Sequence, residues 1–314
     1  MMGTSVTGTL LRRPGPPKVL SDANKAVIDD QRLLDVLDPN TPLLCLYEHA
    51  TFSEGVVWDA PRQRLVWSDV DGRRVLGWYP DGHVETVIDA TDFINGNGVD
   101  RDGRLVHCEH GRRCISRSDQ PGEATPFLTH FEGKRFNSPN DITLAPNGTL
   151  WFSDPTFGLN MPNQGSLREP ELDHRSVYRH DPDTGETRRM ADFDQPNGLA
   201  FTADGRILYV SDTARALDGE THDIIAFDVA PDGSLSGRRL FQSIEPGIPD
   251  GFVVDERGWV WTTSKSGMQI FAADGAKLGL IPTPNVCANC DFGGADGRRL
   301  FIAAKTMLLA VDLR

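Results

Sequence analysis

The sequence predicts an all-β fold, a six-bladed β-propeller, on three observations. Six segments share one plan: an Asn, Asp or Glu, an extended apolar stretch, a turn seven to eight residues on, and a second strand rich in aromatic and β-branched residues. Five of the six turns end in Gly, which supplies the positive φ of a tight hairpin. The leading polar residues stand 41, 45, 57, 53 and 39 positions apart, close to the roughly 40–50 residues of a four-stranded blade.

In chain order the segments read EGVVWDAPRQRLVWSD from Glu54, NGNGVDRDGRLVHCEH from Asn95, NDITLAPNGTLWFSD from Asn140, NGLAFTADGRILYVSD from Asn197, DGFVVDERGWVWTTS from Asp250 and NCDFGGADGRRLFIAA from Asn289. Further strand-like runs, such as 73–88 and 222–244, each carry their own Asp-Gly turn and bring the count to four strands per unit. Only 25 residues follow Asn289, too few for a complete last blade. The strand-like LLCLYEH (43–49) is expected to pair with the C-terminal hairpin and close the ring, which removes an open sheet edge. Residues 22–37, DANKAVIDDQRLLDVL, carry apolar residues at near-helical spacing and predict a short N-terminal helix packed outside, and the Pro-rich stretch before it reads as a loose arm. The chain thus divides into an arm and helix over 1–42 and a propeller over 43–314. A β-sandwich with coincidental turns leaves a polar residue repeated six times unexplained.

Composition narrows the functional classes. The 314 residues include 45 acidic and 32 basic side chains, a net charge of −13 with no Lys/Arg-rich run, so no nucleic-acid partner is expected. The longest apolar stretches, such as Leu43 to Tyr47, are five residues against about 20 for a spanning helix, so no membrane partner is expected either. The N-terminus lacks the apolar core and cleavage site of a secretory signal, which makes a cytoplasmic location the expectation, or a periplasmic one for a trimmed chain. Five cysteines (Cys45, Cys108, Cys114, Cys287, Cys290) are too few and odd in number for a disulfide scaffold, and the Cys287/Cys290 pair reads as packing near the channel. There is no Gly-rich loop opening a helix and no GxSxG elbow, which speaks against nucleotide binding and serine hydrolysis. A monomer or a dimer is expected.

In a propeller the first strand of each blade lines the channel, and the loop entering it sits at one mouth. Glu54, Asn95, Asn140, Asn197, Asp250 and Asn289 are therefore expected to converge, two carboxylates and four amides around one axis. The second strands return to that mouth, so Asp69, Glu109 with His110, Asp154, Asp212 and Ser264 with Lys265 are expected to border it. Such a ring of oxygen donors suits a hard divalent cation, Ca2+ or Mg2+ by ligand type. Asn, Asp and Gly before a strand are also ordinary turn formers, a reading that leaves Glu54 without a role. His110 reads equally as a proton-transfer group and as a structural hydrogen-bonding residue. The segment 156–176, which lengthens the third unit, reads as a lid or as a surface excursion.

The segments SEGVVW, CEHGRR, FEGKRFNSPNDITLAPNGTLWFSDPTFG, QPNGLAF, IPDGFVVDERG and NVCANCDFGG resemble the gluconolactonase, regucalcin (senescence marker protein) and luciferin-regenerating enzyme family, from about residue 43 to 314. Bacterial gluconolactonase-like proteins are nearest, in EGKR…NSPND and in REPEL (168–172). The resemblance implies one divalent cation in the channel, held by Glu54, Asn197 and Asp250, with Asn140 a further ligand or a contact to substrate and water. It departs from regucalcin-like members in one place: Ser138 and Pro139 stand where those proteins carry an arginine that contacts the sugar, and Arg135 comes too early to replace it. The implied chemistry is hydrolysis of a small lactone of the glucono-1,5-lactone type to the aldonic acid, with Ca2+ preferred and Mg2+, Mn2+, Zn2+ or Fe2+ tolerated. Asp250, Asn140 and His110 form the expected catalytic set, with Asp250 as ligand and general base, and His110 or Asp212 as the alternative base. Two other readings keep the fold: a phosphorus-ester hydrolase resembling diisopropyl fluorophosphatase, and a non-catalytic propeller that binds a partner.

Overall fold

A computed structural model of the chain describes residues 9–13 and 15–314. Among them, six antiparallel sheets are arranged radially, each built on four strands in simple up-and-down order, three of them with a fifth from the N-terminal segment, and a short hairpin pairs His130–Phe131 with Lys134–Arg135. The innermost strands are Ser53–Asp59, Ile94–Val99, Ile142–Leu144, Pro196–Phe201, Phe252–Val254 and Asn289–Gly293, and each touches the next until the last meets the first. The ring is therefore closed. The polar residues that open the six sequence segments lie on these strands or two residues before them, as the repeat predicts.

The closing blade combines both ends of the chain. Leu44–Tyr47 pairs antiparallel with Met307–Asp312, in the register Leu308 with Tyr47 and Ala310 with Leu44. All four residues of the N-terminal strand are buried. That is the closure expected from residues 43–49.

The arm before it is ordered as three short strands. Leu10–Arg12 extends the first blade, Lys18–Val19 the sixth and Val27–Ile28 the fifth. The helix expected over 22–37 resolves into two 3-10 turns, Asp22–Asn24 and Gln31–Asp35, on either side of Val27–Ile28. The β-branched pair Val27-Ile28 favours an extended backbone, and the outer strand Lys277–Pro282 offers it free carbonyls and N–H groups. Leu33 and Leu37 are fully buried, so the near-helical spacing did mark residues that pack.

The core lies in six apolar slabs, one between each pair of neighbouring blades. Between blades one and six, for example, Trp67, Leu65 and Leu76 meet Phe301, Leu308 and Leu46. Between blades five and six, Trp261, Met268 and Ile270 meet Leu300, Ile302 and Cys290. Each such large side chain, removed from water, contributes on the order of 1.5–3 kcal/mol. All five cysteines are free and buried.

Towards the channel the blades touch through backbone. Gly96 N–H donates to Asn140 O at 2.8 Å, Gly198 N–H to Asp250 O at 3.1 Å and Gly251 N–H to Ala288 O at 2.6 Å. At Gly198 a Cβ atom would lie 2.5 Å from Asp250 O, closer than a non-bonded Cβ comes to an oxygen. Gly198→Ala is accordingly expected to destabilise the protein by about 1–3 kcal/mol, read as a lower urea midpoint with an unchanged slope. An unaltered midpoint would mean that this inter-blade contact is loose.

Candidate active site

The site forms where the inner-strand ladders are interrupted. The register shifts between Glu54 and Val57, between Ile94 and Asn97, and between Pro196 and Leu199, so the polar residue of blades one, two and four sits on a bulge that turns its side chain out of the sheet face. Glu54, Asn140 and Asn197 are buried, whereas Asp250 stays partly open. Glu54, Asn197, Asp250 and Asn289 come together: Asn197 Nδ2 donates to Asp250 Oδ1 at 2.6 Å, the Asp250 charge lies beside Glu54, and the Asn289 amide bonds to Glu54.

Asn140 lies next to them and is held from behind. Its Nδ2 donates to His110 Nε2 at 3.3 Å, and His110 Nδ1–H donates to the main-chain oxygen of Gln164 at 3.1 Å. An amide donor on Nε2 and a carbonyl on Nδ1 fix one imidazole tautomer. Burial lowers the His110 pKa to about 4, so the ring is neutral at pH 7. Asn95 contributes its main-chain oxygen, which accepts from the Ser68 hydroxyl at 2.7 Å.

Two carboxylates join this group that the repeat did not single out. Asp141, the residue after Asn140, lies 3.5 Å through its Oδ2 from Asn289 Nδ2 and contributes to the electrostatic environment of both Glu54 and Asp250. Asp291 accepts the N–H of Trp58 at 2.8 Å across the join between blades six and one. Four of the six anchors are followed by Gly, and Asp141 and Cys290 are the exceptions. That break in the pattern was the available signal for Asp141.

The electrostatics follow from burial without counter-charge. None of Glu54, Asp141 and Asp250 takes part in an ion pair among the described residues. Desolvation raises the pKa of Glu54 well above the ordinary carboxylate range, with the Asp250 charge adding to it. The same cause, first and largest, lifts Asp141 and Asp250 to about 7. Among the described residues no three Asp, Glu, His or Cys groups are placed to hold a metal ion by themselves, so amide oxygens such as those of Asn197 and Asn140 would have to complete any cation site.

The residues ending the second strands do not add to this group as expected. Asp69 accepts the N–H groups of Thr51 and Phe52, at 2.7 and 3.0 Å. Asp154 accepts those of Asn137 and Ser138, at 2.9 and 2.8 Å. Asp212 accepts those of Asp194 and Gln195, at 3.0 and 2.8 Å, and the Thr221 hydroxyl at 2.9 Å. Each carboxylate ties down the loop that enters its own blade. Arg135 is likewise engaged elsewhere: its guanidinium bonds to Arg112 O and its own N–H to Glu171.

The 156–176 segment is a wall of the mouth. It opens with one helical turn, Phe157–Asn160, whose Gly158 N–H bonds to Ser138 Oγ at 3.1 Å. It then passes Gln164 over His110 and reaches the first blade, where Asn163 Nδ2 meets Asp71 Oδ2 at 3.0 Å.

Fold and site define a class of enzyme, a six-bladed propeller with carboxylates and amides gathered at one end of its central channel. Residues 52–306 match the family model for the SMP-30/Gluconolactonase/LRE-like region, and the chain belongs to that family. A gluconolactonase of Zymomonas mobilis is 31% identical over 305 residues, 89% of this chain and 83% of that one. The solved structure of a gluconolactonase from Xanthomonas campestris shares 48% identity and a TM-score of 0.92, over 97% of this chain and 100% of that one. A calcium-binding protein, regucalcin, from Agrobacterium tumefaciens shares the fold, with a TM-score of 0.68 at 17% identity over 86% of this chain and 93% of that one.

Burial also lifts Asp154 to about 7 and Asp291 to about 6. A carboxyl whose folded pKa is raised binds more protons in the native than in the unfolded chain over the interval between the two values. Stability from that source is complete below about pH 4 and is lost as pH rises through 6 to 7. With divalent ions chelated, the melting temperature is expected to fall between about pH 5 and pH 8, and Asp154→Asn to flatten part of that fall. Scanning calorimetry at fixed ionic strength checks it, and a melting temperature that climbs over the interval would contradict the raised values.

Proposed function

We propose that the protein hydrolyses a sugar lactone of the glucono-1,5-lactone type to its aldonic acid, using one divalent cation, Ca2+ by preference, held by Glu54, Asn197 and Asp250 with Asn140 beside them. The observation that carries this reading is the gathering of desolvated carboxylates and amides at one end of the channel with no positive side chain paired to Glu54, Asp141 or Asp250 among the described residues. Buried carboxylates left without a basic partner are costly, and a hard cation with oxygen ligands is the group that offsets such a charge. Gluconolactonase relatives along most of the chain support the substrate class, and the calcium-binding description of the Agrobacterium regucalcin supports the ion.

When bound, the cation supplies polarisation of the lactone carbonyl and stabilisation of the oxyanion, an effect of several kcal/mol. The residues themselves do the following. Asn140 gives its Nδ2 to His110, which leaves Oδ1 as the oxygen turned to ligand or substrate. His110, with both ring nitrogens engaged, orients that amide and takes no proton itself. Asp250 has one oxygen bound by Asn197 and one free, and the free one accepts the proton of the attacking water. The ring C–O bond then breaks, and the departing alkoxide recovers a proton to give the open hydroxy acid. The wall from Thr156 onward limits the width of lactone admitted.

The test is a pH-stat assay on chelated protein with glucono-1,5-lactone, restoring Ca2+, Mg2+, Mn2+, Zn2+ and Fe2+ one at a time. Glu54→Ala and Asp250→Ala are each expected to lower the cation-dependent rate roughly 10²–10⁴-fold, while Asp212→Asn affects stability before rate. Full activity in both alanine variants would refute the assignment.

A further inference from the structure

The inner strand of blade one, which carries Glu54, is joined to its neighbour differently from those of blades two, four and five. Gly96, Gly198 and Gly251 give their N–H groups to the next blade. Gly55 does not: it adopts φ +54°, and its N–H turns back to Glu54 Oε2 at 2.9 Å. A Cβ atom there would stand 2.0 Å from Asn95 O, so the close approach of blade two is kept while the backbone hydrogen bond is given up.

A side chain replaces that bond. Asn97 Nδ2 donates to Gly55 O at 2.6 Å and to Ser68 Oγ at 2.9 Å. Asn97 Oδ1 accepts from His107 Nδ1–H at 2.6 Å, and the Ser118 hydroxyl donates to His107 Nε2 at 2.8 Å. Asn97 and His107 are buried, directly opposite each other in the ladder of blade two. Burial first, and the nearby Arg112 charge second, lower the His107 pKa to about 3, so this imidazole is neutral and its tautomer is set by its partners.

The positions are unusual for this fold. The residue two beyond the anchor is Val56, Ile142, Leu199 and Phe252 in blades one, three, four and five, and is polar only as Asn97 and Asp291. The place of His107, across the ladder from that residue, is taken by Phe152, Val210, Thr262 and Phe301 in blades three to six. An apolar pair would pack there at no desolvation cost, so a buried, fully bonded polar pair is expected where it selects one backbone conformation.

We propose that Asn97 and His107 are positioning residues that hold the left-handed turn at Gly55 and so aim the Glu54 carboxylate into the channel. The proposal rests on the reading of Glu54 as a cation ligand, and outer partners of ligands commonly tune affinity 10–100-fold. It is tested on the full chain with Asn97→Leu and His107→Phe, which keep volume and lose the hydrogen bonds, with Asn97→Ser as a milder variant and His107→Gln as the variant that retains a donor towards Asn97. Hydrogen exchange at the Gly55 amide, read by NMR in chelated protein, is expected to speed up about tenfold or more in Asn97→Leu and His107→Phe. Ca2+ titrated by calorimetry is expected to bind them about 10–100-fold more weakly, with His107→Gln close to wild type. Variants that melt cooperatively yet keep both Gly55 exchange and Ca2+ affinity would overturn it, and Asn97→Ser decides the matter if the bulkier changes do not fold. Wild-type protein that takes up no Ca2+ would refute the cation reading alone, because Gly55 exchange still decides the positioning role.

Discussion

One kind of contact organises the channel, the grip of the second, fourth and fifth blades on a main-chain oxygen at the start of the next. Gly198 N–H and the Ser211 hydroxyl both reach Asp250 O, at 3.1 and 3.0 Å, and Gly96 N–H reaches Asn140 O at 2.8 Å. Where the residue behind the anchor is glycine, as at Gly96, Gly198 and Gly251, the sheets come this close, and the side chains of the anchors beside them stand at the channel. The same geometry that closes the ring therefore delivers the functional groups. Fold and site are one solution to one packing problem.

The cost of that solution is electrostatic. Carboxylates with raised proton affinity are drawn together away from basic side chains, although the chain carries 32 basic residues and uses many of them in surface pairs such as Arg299 with Asp312. Six apolar slabs between blades tolerate this strain because none of them depends on the channel residues for its packing. The geometry of the site is kept by neighbours such as His110, which bonds Asn140, and Gln195. Gln195 accepts the Thr156 N–H and donates to the Thr156 hydroxyl, at 2.9 and 2.8 Å, and so pins the root of the mouth wall.

Much of this was legible in the sequence, because a propeller repeats its instructions. Six turns and six anchors fixed the strand count, the closure by residues 43–49 and the convergence of Glu54, Asn197, Asp250 and Asn289. What escaped was whatever departs from the repeat. Asp141 sits in a slot given to Gly in four of the six units, and Asn97 with His107 sit in slots given mostly to apolar residues. Asp69, Asp154 and Asp212 also repeat, and what they share is a structural task, since each ties down the loop that enters its blade. The arm was misread because edge pairing of two or three residues leaves no periodicity to find, and Val27-Ile28 alone could not outweigh the near-helical spacing around it.

The sixth blade joins residues 44–47 to residues 289–312 in a single sheet. On a ribosome, the first of these strands is made long before its partners exist, so an apolar segment must wait, exposed or chaperoned, for almost the whole of translation. Completion of the last hairpin is what seals the circle, and a chain halted anywhere short of it leaves the seam unfinished.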